Sequence, residues 1–98
     1  MTGKQRAALR AQANGLKSIF QIGKQDIGDN LIEQINGALE TRELIKLHVL
    51  ETSGLSVREA AAEIAEATES EVIQVIGTRF VIYRESTTLP VDKRIELI

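Results

Sequence analysis

Apolar and polar positions along the chain switch between a period of about 3.6 and a period of two, and the switches mark out seven elements. Gln5, Leu9, Ala13 and Leu16 lie near one side of a first helix, a thin apolar stripe. Ile19, Phe20 and Ile22 form a short β-favouring run. Ile27, Leu31, Ile35 and Leu39 recur at helical spacing. From Leu44 to Leu50 the chain alternates, with Ile45, Leu47 and Val49 on one face and Leu44, Lys46, His48 and Leu50 on the other. Val57, Ala60, Ala61, Ile64 and Thr68 return to helical spacing. Glu71–Ile76 and Arg79–Arg84 read as two strands joined by Gly77-Thr78. Glycine at the first of two turn positions suits a type II′ hairpin.

Local chemistry sets the boundaries. Thr2-Gly3-Lys4-Gln5 fits a capping box, and the first helix should run to about Asn14, with Gly15 as a left-handed stop. Gly28 serves as N-cap of the second helix, with Ile27 stapling onto Ile32 and Asp29 and Glu33 in the first turn. This helix should reach Thr41 or Arg42. Gly37 inside it weakens it by about 1 kcal/mol relative to alanine, and a close neighbour is one explanation for its presence. Ser56-Val57-Arg58-Glu59 is a second capping box, opening a helix to about Glu69. Pro90 breaks regular structure. The tail 86–98 either adds a short edge strand through Ile95, Leu97 and Ile98 or stays loose. The order αβαβαββ implies an α/β fold, one mixed four-stranded sheet packed with three helices on one or both faces. One domain spans 1–98, with its compact part at about 2–85.

Composition narrows the class. The absence of cysteine excludes disulfides and thiolate metal sites and is compatible with a reducing compartment. No apolar run approaches ~18 residues, so no membrane span is expected. The basic N-terminus lacks an apolar signal core, which leaves the cytoplasm as the expected location. The net charge of −2 conceals an asymmetry. Lys4, Arg6, Arg10, Lys17 and Lys24 fall in residues 1–25, which hold no acid; all 14 acidic residues lie beyond. Such separation points to a cationic side and a polyanionic partner, unless folding mixes the two signs again.

Candidate chemistry concentrates in Ile19–Asn30, a strand, a glycine-bearing loop with Lys24 in it, and a helix start. That unit offers free N–H groups and a positive dipole end suited to phosphate. The plainer reading makes Gly23 only a sharp turn that lets another backbone come close. Arg6, Arg10 and Asn14 share one flank of the first helix, with no carboxylate on that helix to pair the arginines. They either bracket an anion or cover apolar surface with their stems. Glu59, Glu63, Glu66 and Glu69 make the third helix an acidic, solvated face, kept away from any phosphate by repulsion. His48 is the lone histidine, and without a second ligand or a base partner it supports neither a metal site nor a catalytic dyad. No nucleotide loop, metal set or nucleophile–base pair can be assembled, so no enzyme, cofactor or small-molecule substrate is expected. Phe20 and Phe80 are expected in the core, which leaves no aromatic platform for stacking bases.

Several motifs together resemble one family. Thr2-Gly3-Lys4-Gln5-Arg6, Leu9-Arg10, Ala13, Gln21-Ile22-Gly23-Lys24, Glu43-Leu44-Ile45-Lys46, Gln74-Val75-Ile76-Gly77 and Tyr83-Arg84 resemble the CRM-domain family, in particular its small bacterial single-domain YhbY-type members. The resemblance covers roughly Thr2 to Arg84, with the motifs in the same order. It implies an RNA-binding domain, a fold similar to the carboxyl-terminal domain of bacterial translation initiation factor three, and association with precursors of the large ribosomal subunit. Related plant domains serve in group II intron splicing. The family's hallmark is a G-x-x-G loop, usually Gly-Lys-Gly-Gly, comparable to the KH loop that clamps a nucleic-acid backbone. Here the loop is Gly23-Lys24-Gln25-Asp26, so the first glycine and the lysine match and the last two glycines do not. Asp26 sets a side chain and a negative charge where a family glycine would allow the closest approach. Gly28 replaces the family's hydroxyl N-cap, and the closing apolar-Pro end is absent.

The reading is an RNA-binding protein acting on ribosomal RNA or large-subunit precursors. Lys24 would contact phosphate, helped by backbone N–H groups of Gly23, Gln25 and Asp26. Lys4, Arg6, Arg10 and Lys17 would extend a cationic track, with Lys46 and Arg84 as outlying members. The competing reading is a protein–protein adaptor that docks a basic partner on the acidic third helix.

Overall fold

The computed structural model describes residues 1–23 and 27–97. Lys24, Gln25, Asp26 and Ile98 lie outside the described residues. Helix α1 spans Gly3–Ala13, strand β1 Ser18–Ile22, helix α2 Asp29–Arg42 and strand β2 Leu44–Val49. Helix α3 covers Val57–Thr68, strand β3 Glu71–Ile76 and strand β4 Arg79–Tyr83. Short 3-10 turns occupy Glu51–Ser53 and Val91–Lys93. The expected αβαβαββ order is therefore present.

Both capping boxes form. Thr2 Oγ1 accepts from the Gln5 N–H at 3.1 Å while Gln5 Oε1 accepts from the Thr2 N–H at 2.9 Å. Ser56 and Glu59 do the same at 3.1 Å each. These reciprocal bonds satisfy N–H groups that a helix start leaves orphaned. Two expectations about glycines fail. The first helix ends on Asn14 in a right-handed conformation, and Gly15 does not take a positive φ. The Leu16 N–H bonds back to the Ala13 carbonyl at 3.0 Å, so the turn closes without a left-handed residue. At Gly37 an added Cβ would meet nothing within 4 Å, so no close neighbour explains it.

The sheet order is β1-β2-β4-β3. Strands β1 and β2 are parallel, joined by α2, whereas β4 is antiparallel to both β2 and β3. The hairpin strand β4 thus inserts between β2 and β3, and α3 carries the chain across it. Gly77 has φ +59, and Thr78 does not have a positive φ, the pattern of a type II′ rather than a type I′ turn.

The two sheet faces have different covers. On one, Ile22, Ile45, Leu47, Val49, Phe80 and Ile82 pack against Ile35 and Leu39 of α2 and Ala60, Ala61 and Ile64 of α3. Phe80 is fully buried there and Phe20 is half-buried against the same cluster. On the other face, Leu44, Ile73, Val81 and Tyr83 pack against Leu9 and Ala13 of α1. Helix α1 covers only this part of its face, because its apolar stripe is two buried residues wide. Beyond α1 and the tail residues Ile95 and Leu97, no described element packs on that face.

Residues 86–97 are neither an edge strand nor loose. Glu43 is fully buried, at φ 65, and its carboxylate accepts the Ser86 N–H at 2.6 Å and the Ile95 N–H at 2.5 Å. Ser86 is buried and its Oγ donates to the Glu40 carbonyl at 2.7 Å. Ile95 and Leu97 then pack on the α1 side of the sheet. The alternation expected of a strand is overridden because a buried carboxylate takes the tail's N–H groups instead.

Candidate functional site

The open part of the sheet is built by strand register. Gln21 of β1 pairs with His48 of β2, which pairs with Arg79 of β4. One step along, Ser18 pairs with Lys46, and Lys46 with Val81. Alternation places Lys46 and His48 opposite the buried Ile45, Leu47 and Val49, hence on the uncovered face. Lys17 joins them from the turn after α1. Together with Leu16 these residues line a shallow depression of about 320 Å³. A second depression of about 270 Å³ adjoins it, lined in part by Ile19, Arg42 and Leu44, and the two share Leu16, Lys17 and Lys46.

The electrostatics of this surface are one-signed. Lys17, Lys46 and Arg79 have no carboxylate within ion-pair distance among the described residues. Arg79 donates from Nε to Ser18 Oγ at 3.2 Å, which orients its guanidinium across β1 and β2 without neutralising it. Neither depression has an acidic residue in its lining. The surface is also partly aliphatic: Leu16, Ile19 and Ile76 are 37%, 39% and 57% exposed. None of the three aromatics faces it free, since Phe20 packs on the opposite core and Phe80 and Tyr83 are buried.

The other residues singled out in the sequence fare differently. Lys4 and Arg10 are exposed on α1. Arg6 is tied down: its guanidinium reaches Glu71 at 2.5 Å and donates to the Val72 carbonyl at 2.8 Å. The missing carboxylate comes from β3, 65 residues away, which no inspection of the helix alone could supply. Arg84 is built into the fold. It donates to Asn36 Oδ1 at 2.7 Å and to the Thr68 carbonyl at 2.8 Å, and lies 3.7 Å from Glu40. It clamps α2, α3 and β4 together and is not available as a surface cation. Gly23 follows β1, two residues after Gln21. A Cβ there would meet Leu50 Cδ1 at 3.6 Å and Thr52 Oγ1 at 3.7 Å, ordinary contacts, and its φ is not positive. Among the described residues, neither a sharp left-handed turn nor a close internal approach requires the glycine. Lys24, Gln25 and Asp26, the rest of that loop, fall outside the described residues. Helix α2 begins after them at Gly28, which offers no side chain to cap the first N–H groups.

Arg79 and Arg42 were not among the residues singled out as ligand contacts. The signal for Arg79 is its place opposite His48, which exists only once β4 sits beside β2. Among the described residues no group of three His, Asp or Glu side chains could hold an ion. No helix among the described residues is long and apolar enough to cross a membrane.

Comparison with known proteins adds the lineage. Residues 1–84 match the family described as the CRS1 / YhbY (CRM) domain. The chain is 42% identical over 97 residues to "Probable RNA-binding protein YqeI" of Bacillus subtilis, covering 99% of this chain and 98% of that one. It is 31% identical over 86 residues to "Probable RNA-binding protein MJ0652" of Methanocaldococcus jannaschii, covering 86% of this chain and 63% of that longer one. The solution structure of the hypothetical protein SAV1595 from Staphylococcus aureus, described as a candidate RNA-binding protein, superposes with a TM-score of 0.74 at 46% identity, covering 100% of this chain and 99% of that one. With the family matched over 84 of 98 residues and the fold shared with a close relative, the chain belongs to the CRS1 / YhbY (CRM) domain family.

Proposed function

We propose that this protein binds RNA and performs no chemistry on it. The observation that carries the reading is charge sorting. The acid-free N-terminal quarter brings Lys17 beside Lys46 and Arg79 on the exposed part of the sheet, and no acidic residue lines that depression. A one-signed surface of this kind favours a polyanion by counterion release. The names of the relatives in Bacillus subtilis and Methanocaldococcus jannaschii support RNA as that polyanion. In this reading Lys24 and the N–H groups of Gly23, Gln25 and Asp26 grip the sugar–phosphate backbone, and the start of α2 assists. The RNA is ribosomal RNA, or a precursor of the large subunit, met in the cytoplasm during assembly. With no free aromatic ring, recognition rests on backbone and shape more than on base identity.

Titration against a structured ribosomal RNA fragment tests this. Lys24→Glu should weaken binding and leave the melting temperature unchanged. If four phosphates of a single strand are neutralised, log K should fall against log[salt] with a slope of about −2.8. A slope near zero, or binding only to a basic protein through α3, would sink the reading. Cross-linking in cells and sequencing the attached RNA would identify the ligand.

A further inference from the structure

We infer that the uncovered part of the sheet is a second phosphodiester-binding site for single-stranded RNA, separate from the Gly-Lys loop and centred on Lys46, His48 and Arg79. The inference rests on the RNA-binding reading and goes beyond it by assigning residues and a strand form.

Three features carry it. First, Lys46, His48 and Arg79 come from adjacent strands in register, so their spacing is set by the sheet and not by flexible loops. Neighbouring strands lie about 4.8 Å apart, which holds the donors of β2 and β4 within reach of one phosphate group. Secondly, the donors lack internal acidic partners among the described residues, and Arg79 is oriented by Ser18 at 3.2 Å. A guanidinium held this way offers its remaining N–H groups to two oxygens of one phosphate. His48 adds an N–H donor in either tautomer or when protonated. Thirdly, exposed Ile76 pairs with Arg79 across the hairpin, and exposed Ile19 lines the adjoining depression with Lys17 and Lys46. A duplex keeps its bases stacked and presents phosphates outward, leaving such aliphatic groups in water. A single strand can lay its bases against them while its phosphates meet the cations. Gly23 lies two residues beyond Gln21, so the end of β1 that precedes the loop borders this surface.

Fluorescence anisotropy with labelled 12-nucleotide oligouridine and with a 12-base-pair RNA hairpin tests the assignment on the full chain. Three variants are compared: Lys24→Gln, Lys46→Gln/Arg79→Gln, and His48→Gln. The expected result is tighter binding of oligouridine than of the hairpin stem by the wild type. The double variant should lose about tenfold in affinity for oligouridine, and its salt slope should shrink by about 1.4, two contacts' worth. His48→Gln should lose a smaller factor, and Lys24→Gln should weaken both probes. Because Arg79 bonds to Ser18, Lys17→Gln/Lys46→Gln provides a second double variant that leaves that bond in place, and it should lose affinity similarly. If the wild type binds both probes, Lys24→Gln weakens both, and neither double variant changes affinity or slope, the second site falls and the RNA reading stands. Preference for the hairpin stem overturns the single-strand assignment. If the wild type binds neither probe nor a ribosomal RNA fragment, the RNA reading itself falls.

Discussion

Glu43 is the residue on which the far end of the molecule turns. It follows the last residue of α2, takes φ 65, and buries its carboxylate against two backbone N–H groups of the tail. A positive φ is costly for a residue with a Cβ, and a buried carboxylate is costly unless hydrogen-bonded. Both costs are offset because one side chain satisfies Ser86 and Ile95 together. Glu43→Gln keeps one acceptor but sets an NH₂ group against an N–H. It should destabilise the fold by about 1–3 kcal/mol, read by urea denaturation. Gly23 gives the opposite case. Since an added Cβ meets only ordinary contacts, Gly23→Ala should leave urea stability within about 1 kcal/mol of wild type. Its RNA affinity should nonetheless fall, because the methyl group stands where a backbone would approach; equal affinity would remove the glycine from the binding surface. Glu43 was legible only as part of a motif, since its partners lie 43 and 52 residues away.

At the scale of elements, the helix starts were readable because capping is local: Thr2 with Gln5 and Ser56 with Glu59 are three residues apart. The helix ends were less so. Glu69 closes α3 in a left-handed conformation, where glycine or asparagine is usual. Its N–H is held by α3 carbonyls, so hydrogen bonding overrides residue preference. Gly37 has no such compensation. It is exposed in the interior of α2 with open space at its Cβ position. Gly37→Ala should therefore raise stability by about 0.5–1 kcal/mol, and the melting temperature by roughly 2–8 °C. A loss of stability, measured by thermal denaturation, would mean that the glycine serves a contact absent from the isolated chain.

At the scale of the whole molecule, pH should probe how the fold is tied. Glu40 is held below the ordinary carboxylate value of 4.5 by the Thr87 hydroxyl, then the Thr87 N–H, with Arg84 and Ser86 adding to these and partial burial opposing them. Glu59 is lowered by the N–H and then the hydroxyl of Ser56. Groups depressed on folding stabilise above their unfolded value and lose that contribution as pH falls through the folded one. Tyr83 moves the other way, raised above 10.0 by burial and then by the charges of Glu43 and Glu85, with Arg94 opposing. Its contribution is complete below 10.0 and is lost as pH rises through the folded value. Melting temperature against pH should therefore be flat near neutrality, falling below about pH 4.5 and again above pH 10. Replacing Tyr83 by Phe should remove part of the alkaline limb, and replacing Glu59 by Gln part of the acid one.

Period and capping chemistry are properties of neighbouring residues, so element types, their order, the mixed sheet and the acid-free first quarter could be read directly from the chain. So could the side of β2 that carries Lys46 and His48, because alternation along a strand needs no partner. Strand order, the seat of the tail and the pairing of each arginine depend on residues dozens of positions apart. Packing brings those residues together, and packing alone separated Arg6 and Arg84, bound internally, from Lys17, Lys46 and Arg79, which face outward on one uncovered surface.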